Sequence, residues 1–434
     1  LILPVIPAFA GTTGKNICPD FPVCFDRGVA MKTARVLLAS CLPCLFLMAG
    51  LAHADGPVAT VRVAFDRQGI TSVQTEGFAD KAIVRKVTAD DPVRIASISK
   101  MVTAIGVMRL VEAGKLDLDA DVSSYLGWKL RNPTFPDVPI TLRLLMSHRS
   151  SLTDEAGYWQ TPLGEPLRDI LDNPHAWDAR HAPGTYFRYT NLNYPVVAQV
   201  MERVTGERFD RLVQQLLLKP LGIDACFGFA TCDDAIAARV IVLYDGNGKP
   251  VMDDNHGHRP ACPVRPARDG SCDLAVYRPG ENGALFGPQG GLRISGIGLA
   301  RIGMLLLNDG TLDGMQLLKP ASVQAMATPT WEYNGHNGLT YEWDDADHQG
   351  SFFCHWGMGL QILATQVDGC RDDPFGDGVA RVGHSGTAYG LQAGVWLDRE
   401  HGIGVVWIAT GMPEKRVGGR SAFSGVEEKL ARGK

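Results

Sequence analysis

Ser97 and Lys100 stand three residues apart in Ser97-Ile98-Ser99-Lys100, at the head of a stretch in which Ile98, Met101, Ile105, Met108 and Val111 recur at three- and four-residue intervals. On a helix that offset puts two side chains on one face about one turn apart, so an amine can touch a hydroxyl. A serine needs a neighbouring base to become nucleophilic, and a lysine serves when burial and positive surroundings populate its neutral amine. The helix start also favours negative charge developing near Ser97. Taken alone the tetrapeptide is weak, because a capping serine followed by an exposed lysine has the same spelling.

Two further groups narrow the reading. In Tyr189-Thr190-Asn191, residues two apart in extended backbone point the same way and present a phenol and an amide to one cleft. A phenol can relay a proton, and an amide can hold a substrate carbonyl. His384-Ser385-Gly386 precedes a β-rich run, where a glycine would let a bound substrate lie close against the strand. None of the three is specific alone; the set, in this order, is.

The triple Ser-x-x-Lys, Tyr-x-Asn, His-x-Gly resembles the set that defines the serine β-lactamase and DD-peptidase superfamily, the class C β-lactamase-related and penicillin-binding-protein-like serine hydrolases. Supporting phrases are similar too: 93–100, 140–152 (ITLRLLMSHRSSL), 187–206 and the glycine-rich start of 290–318. The likeness runs from about Val58 to the last helix. It implies that Ser97 is acylated, that Lys100 and Tyr189 handle its proton, and that Asn191 binds substrate. It further implies an oxyanion hole from the backbone N–H groups of Ser97 and Thr387, with His384, Ser385 and Gly386 lining the strand side of the cleft. The activity implied is that of an esterase or DD-carboxypeptidase acting on small esters, D-amino-acid amides or peptidoglycan stem peptides, with no cofactor and no metal. The alternatives are a class C-type β-lactamase and a non-catalytic penicillin-binding-like sensor or scaffold.

One departure matters. His384 stands where β-lactamases and most penicillin-binding proteins carry lysine, a permanent cation for a substrate carboxylate. An ordinary imidazole titrates near about 6.5, so the cation would be present at pH 5.5 and absent at pH 8. There is also no Ser-Asp-Asn motif, and Glu165, in Gly-Glu-Pro-Leu, reads as a loop acid. Residues 253–258 (DDNHGH) suggest metal ligands, but a polar loop explains them as well. His148 resembles a structural position of the family. Ser385 is no nucleophile elbow, because Thr387 stands where Gly-x-Ser-x-Gly needs glycine.

The elements that must position these groups follow from the pattern. Residues 58–66 and 70–77 read as an opening hairpin, 97–113 as a helix ended by Gly114, and about 195–206 as a helix that begins with proline and ends on glycine. Residues 389–397 and 403–410 read as strands, and Phe423, Val426 and Leu430 mark a terminal helix. The fold class expected is α+β, with early and late strands in one antiparallel sheet flanked by helices and a mostly helical lobe, about 117–220, inserted into the sheet lobe. Residues 55–434 form that one catalytic domain.

Residues 31–54 read as a signal peptide: Met31, the cations Lys32 and Arg35, an apolar run over 36–51, and Ala52-His53-Ala54 for cleavage. Residues 1–30 read as non-native upstream sequence. Leu38-Ala39-Ser40-Cys41 resembles a lipidation site, but few apolar residues precede the cysteine. Removing 1–54 takes four cations and two acids and moves the formal charge from −5 to −7, unsuited to nucleic acid. The expected setting is therefore periplasmic, with no membrane span after cleavage and a small-molecule or peptidoglycan-derived substrate as partner. Six cysteines remain, enough for 15 pairings in an oxidising compartment. Pairing sequence neighbours gives Cys226–Cys232, Cys262–Cys272 and Cys354–Cys370.

Overall fold

Along β1 (Ala59–Asp66) every second residue is buried, with Val61, Val63 and Phe65 on one face and Arg62 on the other. That alternation places a helix on each side of the sheet. The apolar face packs on α3 (Gly296–Leu307), whose Gly296 and Gly303 lie against Val61 and Phe65. On the opposite face Arg62 donates to the Leu430 carbonyl of α4 (Gly425–Arg432). The computed structural model describes residues 56–341, 351–416 and 418–433. All of these belong to the second of two units, which divide between Ala52 and His53. The expected signal peptide and the residues before it lie outside the described residues.

β2 (Ile70–Asp80) and β3 (Arg85–Lys86) continue from β1, while β4 (Trp331–Glu332), β5 (His355–Trp356), β6 (Gln361–Leu363), β7 (Arg381–Ala388), β8 (Leu391–Asp398) and β9 (Ile403–Thr410) complete the sheet. Its order is β4-β5-β6-β7-β8-β9-β1-β2-β3, with antiparallel neighbours throughout. Val63 of the first strand faces Val406 of the last, so early and late chain do share one antiparallel sheet. The fold is α+β. Between 117 and 220 the named elements among the described residues are all helical. No helix among the described residues is long and apolar enough to cross a membrane. The disulfides are Cys226–Cys232, Cys262–Cys272 and Cys354–Cys370, as sequence-neighbour pairing gives.

The helix expected to open at Ser97 begins two residues later. Ala96–Ile98 form a 3-10 turn, and α1 spans Ser99–Glu112. Ala96 has φ +47°, a conformation that costs a residue with a Cβ roughly 1–3 kcal/mol, and Ser99 donates from Oγ to the Ala96 carbonyl at 2.7 Å. Tertiary hydrogen bonds hold the turn. The short strand Val93–Arg94 pairs with Leu292–Ile294, Ile95 N–H donates to the Leu292 carbonyl at 3.0 Å, and Leu292 N–H donates to Ser99 Oγ at 3.1 Å. Segment 289–292 is thereby fixed beside the nucleophile. α1 is buried on nearly every side, more than the single stripe expected. Gly114, at φ +68°, follows its end, as expected.

α2 (Asn193–Thr205) ends at Gly206 in the left-handed region and carries Glu202, which is fully buried. Its carboxylate accepts from Phe209 N–H at 2.8 Å, Tyr277 Oη at 2.6 Å and Gly280 N–H at 2.6 Å, and so ties segment 277–282 to the helix ahead of Gln289. Burial pushes the carboxyl up to about 7. An acid whose folded pKa exceeds its unfolded value binds more protons when folded, so stability falls as pH rises from about 4.5 to 7. Glu202→Gln should flatten that part of the stability curve; urea denaturation from pH 4.5 to 8 measures it, and an unchanged slope would contradict the assignment.

Candidate active site

Lys100 is fully buried, and its Nζ lies 2.9 Å from Ser97 Oγ, 2.8 Å from Asn191 Oδ1 and 3.0 Å from the Gln289 carbonyl oxygen. Two of these neighbours are carbonyl oxygens, which only accept. They take two N–H bonds from the amine and leave its third direction on the serine hydroxyl. The first motif contributes Ser97 and Lys100, the second contributes Asn191, and the backbone of Gln289 completes the set.

Asn191 is itself held. Asp154 Oδ2 accepts from Asn191 N–H at 2.9 Å and from Asn191 Nδ2 at 3.0 Å, and Asp154 Oδ1 accepts from Leu192 N–H at 2.8 Å. Burial raises the Asp154 carboxyl above the ordinary range, opposed by these hydrogen bonds and by the Lys100 charge.

Tyr189 lies between two rings, stacked on His148 (centroids 4.4 Å, 26°) and on Phe353 (4.6 Å, 10°). Lys100 Nζ is 4.7 Å from its ring centroid. His148 also holds the neighbouring backbone: Thr190 N–H donates to its Nδ1 at 3.0 Å. Burial first, then the neighbouring Lys100, pushes His148 well below the ordinary imidazole range.

His384 is buried against Trp356 (centroids 5.3 Å) and Tyr189 (6.4 Å). Its Nδ1 lies 2.6 Å from the Ser385 carbonyl oxygen, which can only accept, so Nδ1 carries the ring proton and Nε2 is bare. Burial, and then the Lys100 charge, lower its pKa to about 3. The expected titration near 6.5 is thereby corrected: this imidazole is neutral at both pH 5.5 and pH 8. Desolvation removes the cation that an exposed ring would offer.

At Gly386 an ideal Cβ would run into the Ile95 carbonyl oxygen, so the glycine lets β7 approach the chain just before Ser97. β6 pairs with β7 only at 381–383, so from Ser385 to Thr387 that edge has no strand partner among the described residues and lies along the 3-10 turn. Ser385 is buried, and the Thr387 hydroxyl accepts from Arg416 Nη2. Arg416 is backed by Glu427 at 2.9 Å, the N3 residue of the α4 capping box.

The remaining candidates lie elsewhere. Glu165 pairs with Arg268 on an exposed loop, and Asp253 pairs with buried Arg293 at 2.6 Å. Asp154, Gln289 and Arg416 belong to none of the three sequence motifs, and Phe353 lies in the aromatic run 331–356 that the sequence places at the border of the cleft. Asp154 follows the 140–152 phrase by two residues, which was its available signal.

The chain matches the family model described as Beta-lactamase over residues 51–424 and belongs to that family. It is 29% identical to "Esterase EstB" of Burkholderia gladioli over 252 residues, 51% of this chain and 58% of that protein. It is 29% identical to "D-alanyl-D-alanine-carboxypeptidase/endopeptidase AmpH" of Escherichia coli K12 over 31% of this chain and 36% of that one. The match therefore spans little more than half of EstB and about a third of AmpH. Among solved structures, EstCE1, "a hydrolase with promiscuous acyltransferase activity", aligns with TM-score 0.60 at 20% identity over 87% of this chain and 93% of that one. The D-amino acid amidase of Ochrobactrum anthropi aligns with TM-score 0.56 at 22% identity over the same shares. These establish the likeness of fold.

A neutral His384 makes a definite expectation. The ratio of kcat/KM for a carboxylate-bearing substrate to that for a neutral ester should show no inflection near pH 6.5. An inflection there that disappears in His384→Gln would contradict the buried, neutral imidazole.

Proposed function

We propose that the chain is a serine hydrolase acting through an acyl-enzyme on Ser97. The observation that carries this reading is the Lys100 amine 2.9 Å from the Ser97 hydroxyl, with two other directions taken up by carbonyl oxygens. The Ser97 oxygen attacks a substrate carbonyl as its proton passes to Lys100, and the backbone N–H groups of Ser97 and Thr387 receive the oxyanion. The intermediate collapses, the C–O or C–N bond breaks, and the leaving group takes a proton from the Lys100–Tyr189 pair. Water then releases the acyl group by the reverse sequence. Asn191 and the β7 edge at His384, Ser385, Gly386 and Thr387 hold the substrate.

Small esters, D-amino-acid amides and stem peptides are the substrate classes, in keeping with what the similar proteins are named for. Because His384 offers no cation, neutral aryl esters are better substrates than penicillins at pH 7.5. Three disulfides support an exported, periplasmic setting. Residues 55–434 serve as the catalytic domain, with the 117–220 helices as its inserted lobe.

Incubation with a fluorescent penicillin and a panel of aryl esters, read by intact mass, distinguishes this from the alternatives. Turnover of esters with only slow penicillin labelling is the expected result. Rapid penicillin turnover would indicate a class C-type β-lactamase, and labelling without turnover a sensor. Ser97→Ala should abolish covalent labelling at a stability cost of at most about 1–2 kcal/mol, and Lys100→Ala should be nearly as damaging. Undiminished labelling of Ser97→Ala would overturn the nucleophile assignment.

A further inference from the structure

We infer that Asp154 is a positioning residue for the acylation step: by fixing which face of the Asn191 amide meets Lys100, it keeps the amine's lone pair on Ser97. The inference rests on the reading of Ser97 and Lys100 as nucleophile and base. An asparagine amide has two nearly isosteric ends, one accepting and one donating. Here both backbone N–H groups at 191–192 and the Asn191 Nδ2 point at the Asp154 carboxylate, an acceptor at each oxygen. Nδ2 is thus drawn to Asp154 and Oδ1 is left 2.8 Å from Lys100 Nζ.

A neutral amine has two N–H bonds and one lone pair. Asn191 Oδ1 and the Gln289 carbonyl take the two N–H bonds, so the lone pair faces Ser97 Oγ and can receive its proton. With the amide reversed, Asn191 Nδ2 would donate to that lone pair, and Lys100 would turn an N–H toward the serine. The arrangement then contains the same residues but no base.

Other groups that face Lys100 include the rings of His148, His384, Tyr189 and Tyr194. Tyr158 also feels the Asp154 charge. Burial holds both histidines neutral and the Tyr194 phenol protonated, and Asp154, whose oxygens accept from three N–H groups, is the carboxylate that bears on the lysine. Removing its charge favours the neutral amine while removing the constraint on the amide.

The test is the second-order rate constant for labelling of Ser97 by a fluorophosphonate, from pH 5.5 to 9.5, in the full chain. Asp154→Asn should lower the plateau roughly ten- to hundredfold and move the acid limb to lower pH, with the final labelled fraction unchanged. A structural role alone would reduce the labelled fraction and leave the rate constant and the limb of the remainder in place, which would overturn the inference. A double-mutant cycle guards against misfolding: in an Asn191→Ala background, where no amide remains to orient, Asp154→Asn should cost little further rate. Additive losses would likewise overturn it. Failure of the wild-type chain to label at Ser97 would instead strike the proposed function.

Discussion

A lysine amine buried in a protein must find a partner in every direction or pay heavily for its desolvation. Three of the partners of Lys100 come from widely separated parts of the chain: Ser97 one turn earlier, Asn191 ahead of α2, and the Gln289 carbonyl ahead of α3. Much of the architecture can be understood as holding those three points together. The 93–94 and 292–294 pairing brings Gln289 beside the nucleophile turn. Glu202 and Gln199 of α2 bind the backbone at 280–281, so the helix that follows Asn191 also anchors the segment leading to Gln289. A shift in any of these elements is felt at one amine.

Around that amine the protein excludes water with rings. His148, Tyr189, Phe353, Trp356 and His384 are buried together, and Phe187 stacks on Trp331 (4.0 Å) behind them. The Cys354–Cys370 disulfide closes the segment that follows Phe353. The low local dielectric left by excluding water makes each remaining polar contact count for more, and it sets the charge state of the cleft. Both imidazoles are driven neutral, so electrostatic selection of a carboxylate cannot come from His384. Arg416 reaches the same strand at Thr387, but it is held by Glu427.

Much of this was legible in the residues. The alternation in 58–66, the hairpin turn at 67–69, the proline and glycine bounding α2, and the neighbouring cysteines all depend on local chemistry, and local chemistry is written in sequence. Ser97, Lys100 and Asn191 were legible because their types and order are restrictive. The start of α1 was not, because it is decided by the Leu292 hydrogen bonds and the positive φ of Ala96. His384 was legible as a cleft residue but not in its charge, since an imidazole's pKa belongs to its surroundings. Gln289 acts through a backbone carbonyl, which every residue has. Asp154 is one of 47 acids in the chain; it lies two residues past the 140–152 phrase, but its role shows only in its distance to Asn191.

Neutron diffraction from a deuterium-exchanged crystal, held at a pD on the plateau of activity, observes the hydrogens around Lys100 directly. The expected map has two deuterons on Lys100 Nζ, directed at Asn191 Oδ1 and the Gln289 carbonyl, a Ser97 deuteron directed at Nζ, and an Asn191 Nδ2 deuteron directed toward Asp154. Asn191 Nδ2 facing Lys100, or a deuteron on Nζ directed at Ser97 Oγ, would contradict it.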